Sequence, residues 1–311
     1  IKGLQYKDSV IAMPESEMLL QSSGVETGNA EVVYSVPKRL LKKKKFIGKS
    51  KVLFSIAGID QKLSASLKSW SYFDEENSSG IRMAKNANQE LFPFVESFGN
   101  DLIIRNGAYT IEEDLVIGEE SILFVEPGVK ITLKNEAAII CYGGVKFNGN
   151  AEDPIDVVGD GGEGLLVINS PVKSSLMFTR FDKLRNFQLG DWKLPSAVTF
   201  YNSDVDIDYC TFHDNLVGDD YLNVFRSQVH LRNSKFIKTN ADAFDGDFVY
   251  GSVVNTTFDS VGNDALDFSG SRLKMYNLTI SNVADKAISA GERSTLECNN
   301  IDIDNSELAV N

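Results

Sequence analysis

The chain has 311 residues, 42% of them hydrophobic, and its 44 Asp and Glu against 31 Lys and Arg give a formal net charge of −13. This composition excludes a disordered chain, and the negative field opposes nucleic acid and anionic membranes as partners while suiting cations and neutral glycans. Cys141, Cys210 and Cys298 are too scattered for a disulfide framework or a CxxC metal pair, and with His213 and His230 as the only histidines a multi-histidine centre is excluded.

No apolar run reaches the ~20 residues that cross a bilayer, so no transmembrane segment is expected. The chain opens at Ile1 without initiator Met or signal peptide, as a processed or excerpted chain would. Residues 1–98 mix short alternating segments ("EVVYSV", "KVLFSIAG", "KLSASLKSWSYF") with polar breaks and predict a small β-rich domain or N-terminal cap. Within it "KRLLKKKK", residues 38–45, is the one strongly basic run and reads as a solvated hairpin or loop.

Residues 99–311 consist of short β-type segments broken by Gly, Asn and Asp, without helical periodicity. Internal repetition then becomes visible. Leu222, Phe244, Leu266, Ile288 and Val310 follow one another at 22-residue intervals, and each precedes a polar residue: Asn223, Asp245, Asp267, Ser289 and Asn311. Val198, Thr199 and Phe200 extend these columns one repeat earlier. A second strand recurs at Val205/Ile207, Val229/Leu231, Gly251/Val253, Leu273/Met275 and Leu296/Cys298, and a third column holds Phe212, Phe236, Phe258, Ile280 and Ile303. Tyr209, Asn233, Asn255, Asn277 and Asn300 form a turn column in which Asn tolerates unusual backbone angles and can bond from coil to coil. Period-2 alternation within each repeat and about 22 residues per coil describe a parallel β-solenoid.

The sequence here resembles the right-handed parallel β-helix, pectin-lyase-like superfamily, over roughly residues 100–311. "GAYTIEEDLVIGEESILFVEPGVKIT" looks like its entry coils, with a Pro-Gly turn between apolar strands. More narrowly, "AVTFYNSDVDIDYCTF", "LNVFRSQVHLRNSKF", "DAFDGDF" and "NDALDFSGS" are similar to β-helix regions of bacterial surface proteins, some linked to spore-coat-H-type kinase-like domains. The resemblance implies an all-β, right-handed solenoid in a secreted or cell-surface bacterial protein. In that fold Asn255-Thr-Thr and Asn277-Leu-Thr are expected to be interior ladder positions that carry no glycan, and Cys298 to be a buried small hydrophobe, whereas Asn77-Ser-Ser could be exposed.

Strand alternation turns Ala265, Asp267 and Ser269 outward if Leu266 and Phe268 point in, and likewise Asp245 and Asp247 one coil earlier. Stacked carboxylates about 5 Å apart repel by roughly 3 kcal/mol at an effective dielectric of 20, so a cation, a shared proton or a basic neighbour is called for. Asp242 and Asp264 form a second column that ends in Lys286, and Arg226 adds positive charge at a turn. Three readings follow: a Ca²⁺ site at Asp245, Asp247 and Asp267 with Asn223 beside them; a polysaccharide lyase or glycoside hydrolase using Asp245, Asp267 and Lys286 on an acidic polysaccharide; and acids that only solubilise the coil edges. "TNADAFDGD" and "GNDALDFSG" faintly resemble polygalacturonase segments, but the expected Gly-His-Gly is replaced by "DKAISAGE", and no environment that would hold one acid protonated is legible.

A long insertion, "DKLRNFQLGDWKLPS", precedes Thr199 and should overhang the same face, where Phe187 and Trp192, with Tyr201, Tyr221 and Arg226, could contact a sugar; the alternative is that its aromatics pin the loop to the wall. The columns are intact at Val310, so the C-terminal edge is expected to be continued by further coils or covered by another chain. The expectation is a surface scaffold or glycan-contacting module within a larger protein or assembly, with the polysaccharide-cleaving enzyme as alternative.

Overall fold

The computed structural model describes residues 2–7, 9–13, 34–42, 46–56, 61–67, 86–189 and 192–311, with the backbone alone at 41, 189 and 192. The chain divides into two compact units, Ile1–Ile81 and Arg82–Asn311.

The first unit holds an antiparallel sheet of Ser9–Ala12, Gly3–Tyr6, Ser50–Phe54 and Leu63–Ser66, in that spatial order. Its small core gathers Leu4 and Phe46, the latter ring 5.3 Å from Tyr6. The basic run departs from the expected hairpin or loop. Lys38–Leu41 form a single helical turn after Pro37, whose φ of −56° suits the entry to a helix. Residues 43–45, the first half of "EVVYSV" and the Asn77-Ser-Ser acceptor lie outside the described residues.

The second unit is a parallel β-solenoid of about nine turns with about 23 residues per coil. Each coil contributes strands to three parallel stacks. The first stack includes Ile139–Cys141, Leu165–Ile168, Ser196–Tyr201, Asp220–Phe225, Asp242–Asp247 and Leu266–Ser269. The second includes Ser174–Met177, Val205–Asp208, Gln228–Arg232 and Tyr250–Val254. The third includes Ile155–Asp160, Thr179–Asp182, Thr211–His213, Lys235–Thr239 and Thr257–Val261.

The register follows the sequence columns residue by residue. Leu222 pairs with Phe244, Phe244 with Leu266, Leu266 with Ile288 and Ile288 with Val310. A one-residue slip would turn every core side chain outward, so the apolar column fixes the pairing. Phe212, Phe236 and Phe258 stack inside at centroid separations of 4.4 and 5.0 Å, matching the strand spacing. Burying each such ring is worth about 1.5–3 kcal/mol, repeated coil after coil.

The corners need backbone angles that strands do not use. Tyr209, Asn233, Asn255, Asn277 and Asn300 all have φ between 48° and 55°. The amides of Asn255, Asn277 and Asn300 each donate to the Asn one coil before, at 3.1, 3.0 and 2.8 Å. This ladder lies on an exposed turn, not in the interior as expected, because an αL corner directs its side chain away from the coil; the two glycan-acceptor asparagines are therefore exposed, with their amides engaged. Buried serines satisfy other corners: Ser227 Oγ accepts from Ser203 N and donates to the Phe225 carbonyl. Cys298 keeps its predicted register opposite Met275 but is exposed, since it lies on the last coil of the chain, where the face beyond it has no further strand in this sequence.

Candidate functional site

The outer face of the first stack changes character along the solenoid axis. In the early coils it is apolar: Val116, Ala138, Ile140, Leu166 and Ile168 form a cluster outside the main core. The long insertion folds over it, with Phe187 buried in the cluster and the small strands Gln188–Leu189 and Trp192–Lys193 pairing antiparallel. Glu163 Oε1 accepts from Gln188 N at 2.9 Å, and Asn186 Nδ2 donates to the Leu194 carbonyl at 2.8 Å. Phe187 is thus a packing anchor and not a free sugar platform, because the apolar wall beneath it gains most from being covered. Of Trp192 only the backbone is described.

In the later coils the same face becomes acidic. Asn223, Asp245 and Asp267 pair in register, as do Phe225, Asp247 and Ser269. Asn223 Nδ2 donates to Asp245 Oδ2 at 2.9 Å and to Asp220 Oδ2 at 3.2 Å, one amide bridging two carboxyls. Burial first, then the charges of its acidic neighbours, raises the Asp245 carboxyl well above the usual carboxylate range; Asp220 is raised for the same two reasons. Both shifts favour the protonated form, an environment that was not legible in the sequence. Asp247 is also raised, by burial and then by Asp267 and Glu292.

The second acid column works as a coil-to-coil clamp. Asp242 Oδ1 accepts from Asp264 N at 2.8 Å and from Asn263 Nδ2 at 2.6 Å, and Asp264 Oδ1 accepts from Lys286 N at 2.9 Å. Lys286 Nζ closes the column on Asp264 Oδ2 at 3.2 Å and also contacts Asp285. Hydrogen bonds to Asp285 and Asp264 raise the Lys286 pKa, so the ammonium stays charged and offers no lone pair for proton abstraction.

Among the described residues Asp267 also lies with Asp242 and Asp264, the ligand atoms of the three within 4.8 Å of one another. Calcium takes six to eight oxygens. Here Asp264 already holds an ammonium and one Asp242 oxygen holds two N–H donors, so Asp267 and the second Asp242 oxygen are what remain for a cation.

Two outward predictions are corrected. Tyr221 is fully buried, its ring edge-on to Phe212 and its hydroxyl donating to the His213 carbonyl at 3.0 Å; it lies where the chain turns into the strand, so alternation does not force it outward. Ala265 is fully buried for the same reason. Tyr201 is half-buried and stacks on Phe225 at 5.0 Å beside the acids, and Arg226 lies over Phe225 and Phe248 at 5.0 and 6.0 Å.

Sequence reasoning missed Asp220, although it stands 22 residues before Asp242 and so belongs to a readable column. It also missed Asp182, His213 and Asp214, which the third stack gathers, with His213 Nδ1 2.6 Å from Asp182 Oδ1.

Fold and site together define a parallel β-solenoid with an acidic outer face. No family model and no curated protein matches the chain. Among solved structures it is similar to the Streptococcus pneumoniae surface protein and adhesin PfbA, at 8% identity over 68% of this chain and 91% of that one, with a TM-score of 0.19. Among the described residues no helix is long and apolar enough to cross a membrane.

Proposed function

We infer that this chain is the β-solenoid scaffold of a secreted or surface-displayed protein, and that the acidic face of its first stack contacts a neutral glycan. The observation that carries this reading is the Asp220–Asn223–Asp245 bridge, continued by half-buried Asp267 and bordered by the Tyr201–Phe225 stack. Asp220 and Asn223 are buried beneath this face, where they hold Asp245 in place, while half-buried Asp245, Asp247 and Asp267 offer acceptors to sugar hydroxyls and an aromatic face suits the apolar face of a sugar ring. Polyuronates would meet like charge on this face. The coil ladder holds these groups in place without any closing movement. Retention on immobilised neutral polysaccharides tests the reading: Asp245→Asn, Asp267→Asn and Tyr201→Ala should each weaken it, and a wild-type chain that no neutral glycan retains would end it.

One observation favours a second reading, glycoside hydrolysis. Burial and acidic neighbours raise the Asp245 carboxyl above the usual carboxylate range, the direction a general acid requires, and Asp267 stands in register beside it. Their strands are ~4.8 Å apart, closer to the ~5–5.5 Å of retaining enzymes than to the wider gap of inverting ones. Release of reducing ends with retained anomeric configuration, abolished in both Asp245→Asn and Asp267→Asn, is the expected outcome; release that survives both changes removes these acids from the chemistry.

A further inference from the structure

A different surface lies at the corner between the second and third stacks, away from the acidic face. The turn column that holds Asn233, Asn255, Asn277 and Asn300 begins with Phe178 and Tyr209, at φ 45° and 53°. A bulky side chain is less at ease in this region than Asn. The two rings are parallel within 2° at 4.6 Å, and Tyr209 is 51% exposed. They border a shallow groove of about 240 Å³, lined also by Asn150, Pro154, Arg180 and Lys235.

Its polar groups are cationic or donating. Arg180, Thr211 and Lys235 occupy one register on successive coils, which sets the two basic residues two strand spacings apart, ~9.6 Å, with only a short side chain between. Among the described residues Lys235 has no ion-pair partner, and Asn150 uses its Oδ1 on the N–H groups of Glu152 and Asp153 while its Nδ2 has no partner. Asp208, next to Tyr209, is occupied by Asn233 and Arg232. In a chain of net charge −13, a groove in which Lys235 is unpaired and Arg180 has only a 3.6 Å contact with Asp156, beside a stacked aromatic pair, suits an anion that carries an apolar ring face.

The chemistry narrows further. Arg180 already leans one guanidinium nitrogen toward Asp156 at 3.6 Å, so its fork is not free for a planar carboxylate. What remains is a set of separated single donors, Lys235 Nζ, the other Arg180 N–H groups and Asn150 Nδ2, which suits the diverging oxygens of a tetrahedral sulfate ester. An acidic peptide strand fits less well, because its same-face side chains repeat at ~6.8 Å. We propose that this corner groove binds a sulfated glycan, with one pyranose stacked on Tyr209 and sulfate groups on Arg180 and Lys235.

Calorimetric titration with sulfated maltohexaose at low ionic strength tests this, with unsulfated maltohexaose and hexagalacturonate as neutral and carboxylate controls. The sulfated chain should bind at least about tenfold more tightly than either, a gap of about 1.4 kcal/mol. Arg180→Gln and Lys235→Gln should each weaken it several-fold. Tyr209→Asn should cost about tenfold in affinity while leaving the thermal midpoint unchanged or raised, because it restores the residue that the following coils use. Asp245→Asn should leave this binding intact, which separates it from the acidic face. Equal binding of the three hexamers, absence of binding, competition by inorganic phosphate as strong as by the sulfated chain, or a Tyr209→Asn variant that binds normally would each overturn the proposal.

Discussion

Replacing Asp242 by Asn tests whether the acid columns are held against their own charge. Asp242 is 6% exposed, and its Oδ1 accepts two N–H donors that an Asn side-chain oxygen would keep. Burial is the largest cause that lifts its pKa from 3.8 to about 6, and the charges of Asp264 and Asp267 add to it. A carboxyl raised in this way binds more protons in the folded than in the unfolded state. The wild-type chain therefore loses stability as pH climbs from about 4 to about 6 and stays at the lower level above that range. The full rise corresponds to at most about 3 kcal/mol. Urea melts of wild type and Asp242→Asn should coincide at pH 4 and separate by pH 7, with the variant more stable. A variant that is less stable at pH 7, or a difference that does not depend on pH, would refute the reasoning.

Gly251 sits in a core column at φ 147°, where an added Cβ would lie 1.8 Å from the Val229 carbonyl oxygen; Gly251→Ala should cost more than about 3 kcal/mol in urea melts or prevent folding. Asn255→Ala removes two ladder hydrogen bonds and places Ala at φ 50°, for a loss of about 1–2 kcal/mol, of which Asn255→Gly should recover the backbone part. Phe187→Ala uncovers the apolar patch under the insertion, so limited proteolysis should cut within residues 182–195 at a rate far above wild type while the solenoid remains folded. Burial pushes the Cys141 thiol up to about 11 and the Cys210 thiol up to about 12, whereas Cys298 is exposed; a thiol reagent at pH 8 should label Cys298 alone until urea releases the other two.

Much of the solenoid is visible as spacing. Leu222 to Val310 by steps of 22, and Phe212 to Ile303 beside them, place whole strands in register because a repeated coil can bury its apolar side chains only against the same positions of its neighbours. The Asp242–Asp264–Lys286 column is legible in the same way. Corners are harder to read. Alternation misassigns Tyr221 and Ala265, since the strict inside–outside rule applies along a flat strand and fails where the chain bends into the next stack. The insertion was legible as an interruption of the repeat, but not as a cover for Val116, Ile140 and Leu166, which come from three different coils.

The sequence by itself determined the coil length, the strand register and the positions of the outward acids, because each depends on a local pattern repeated at a fixed interval. Only the tertiary structure decided their chemistry. Whether Asp245 is an ordinary solvated carboxylate or a carboxyl whose pKa is raised, and whether Tyr209 is another turn residue or one wall of a groove that Arg180 and Lys235 line, depends on burial and on charges contributed by other coils. Those quantities are sums over neighbours in space, and no interval along the chain records them.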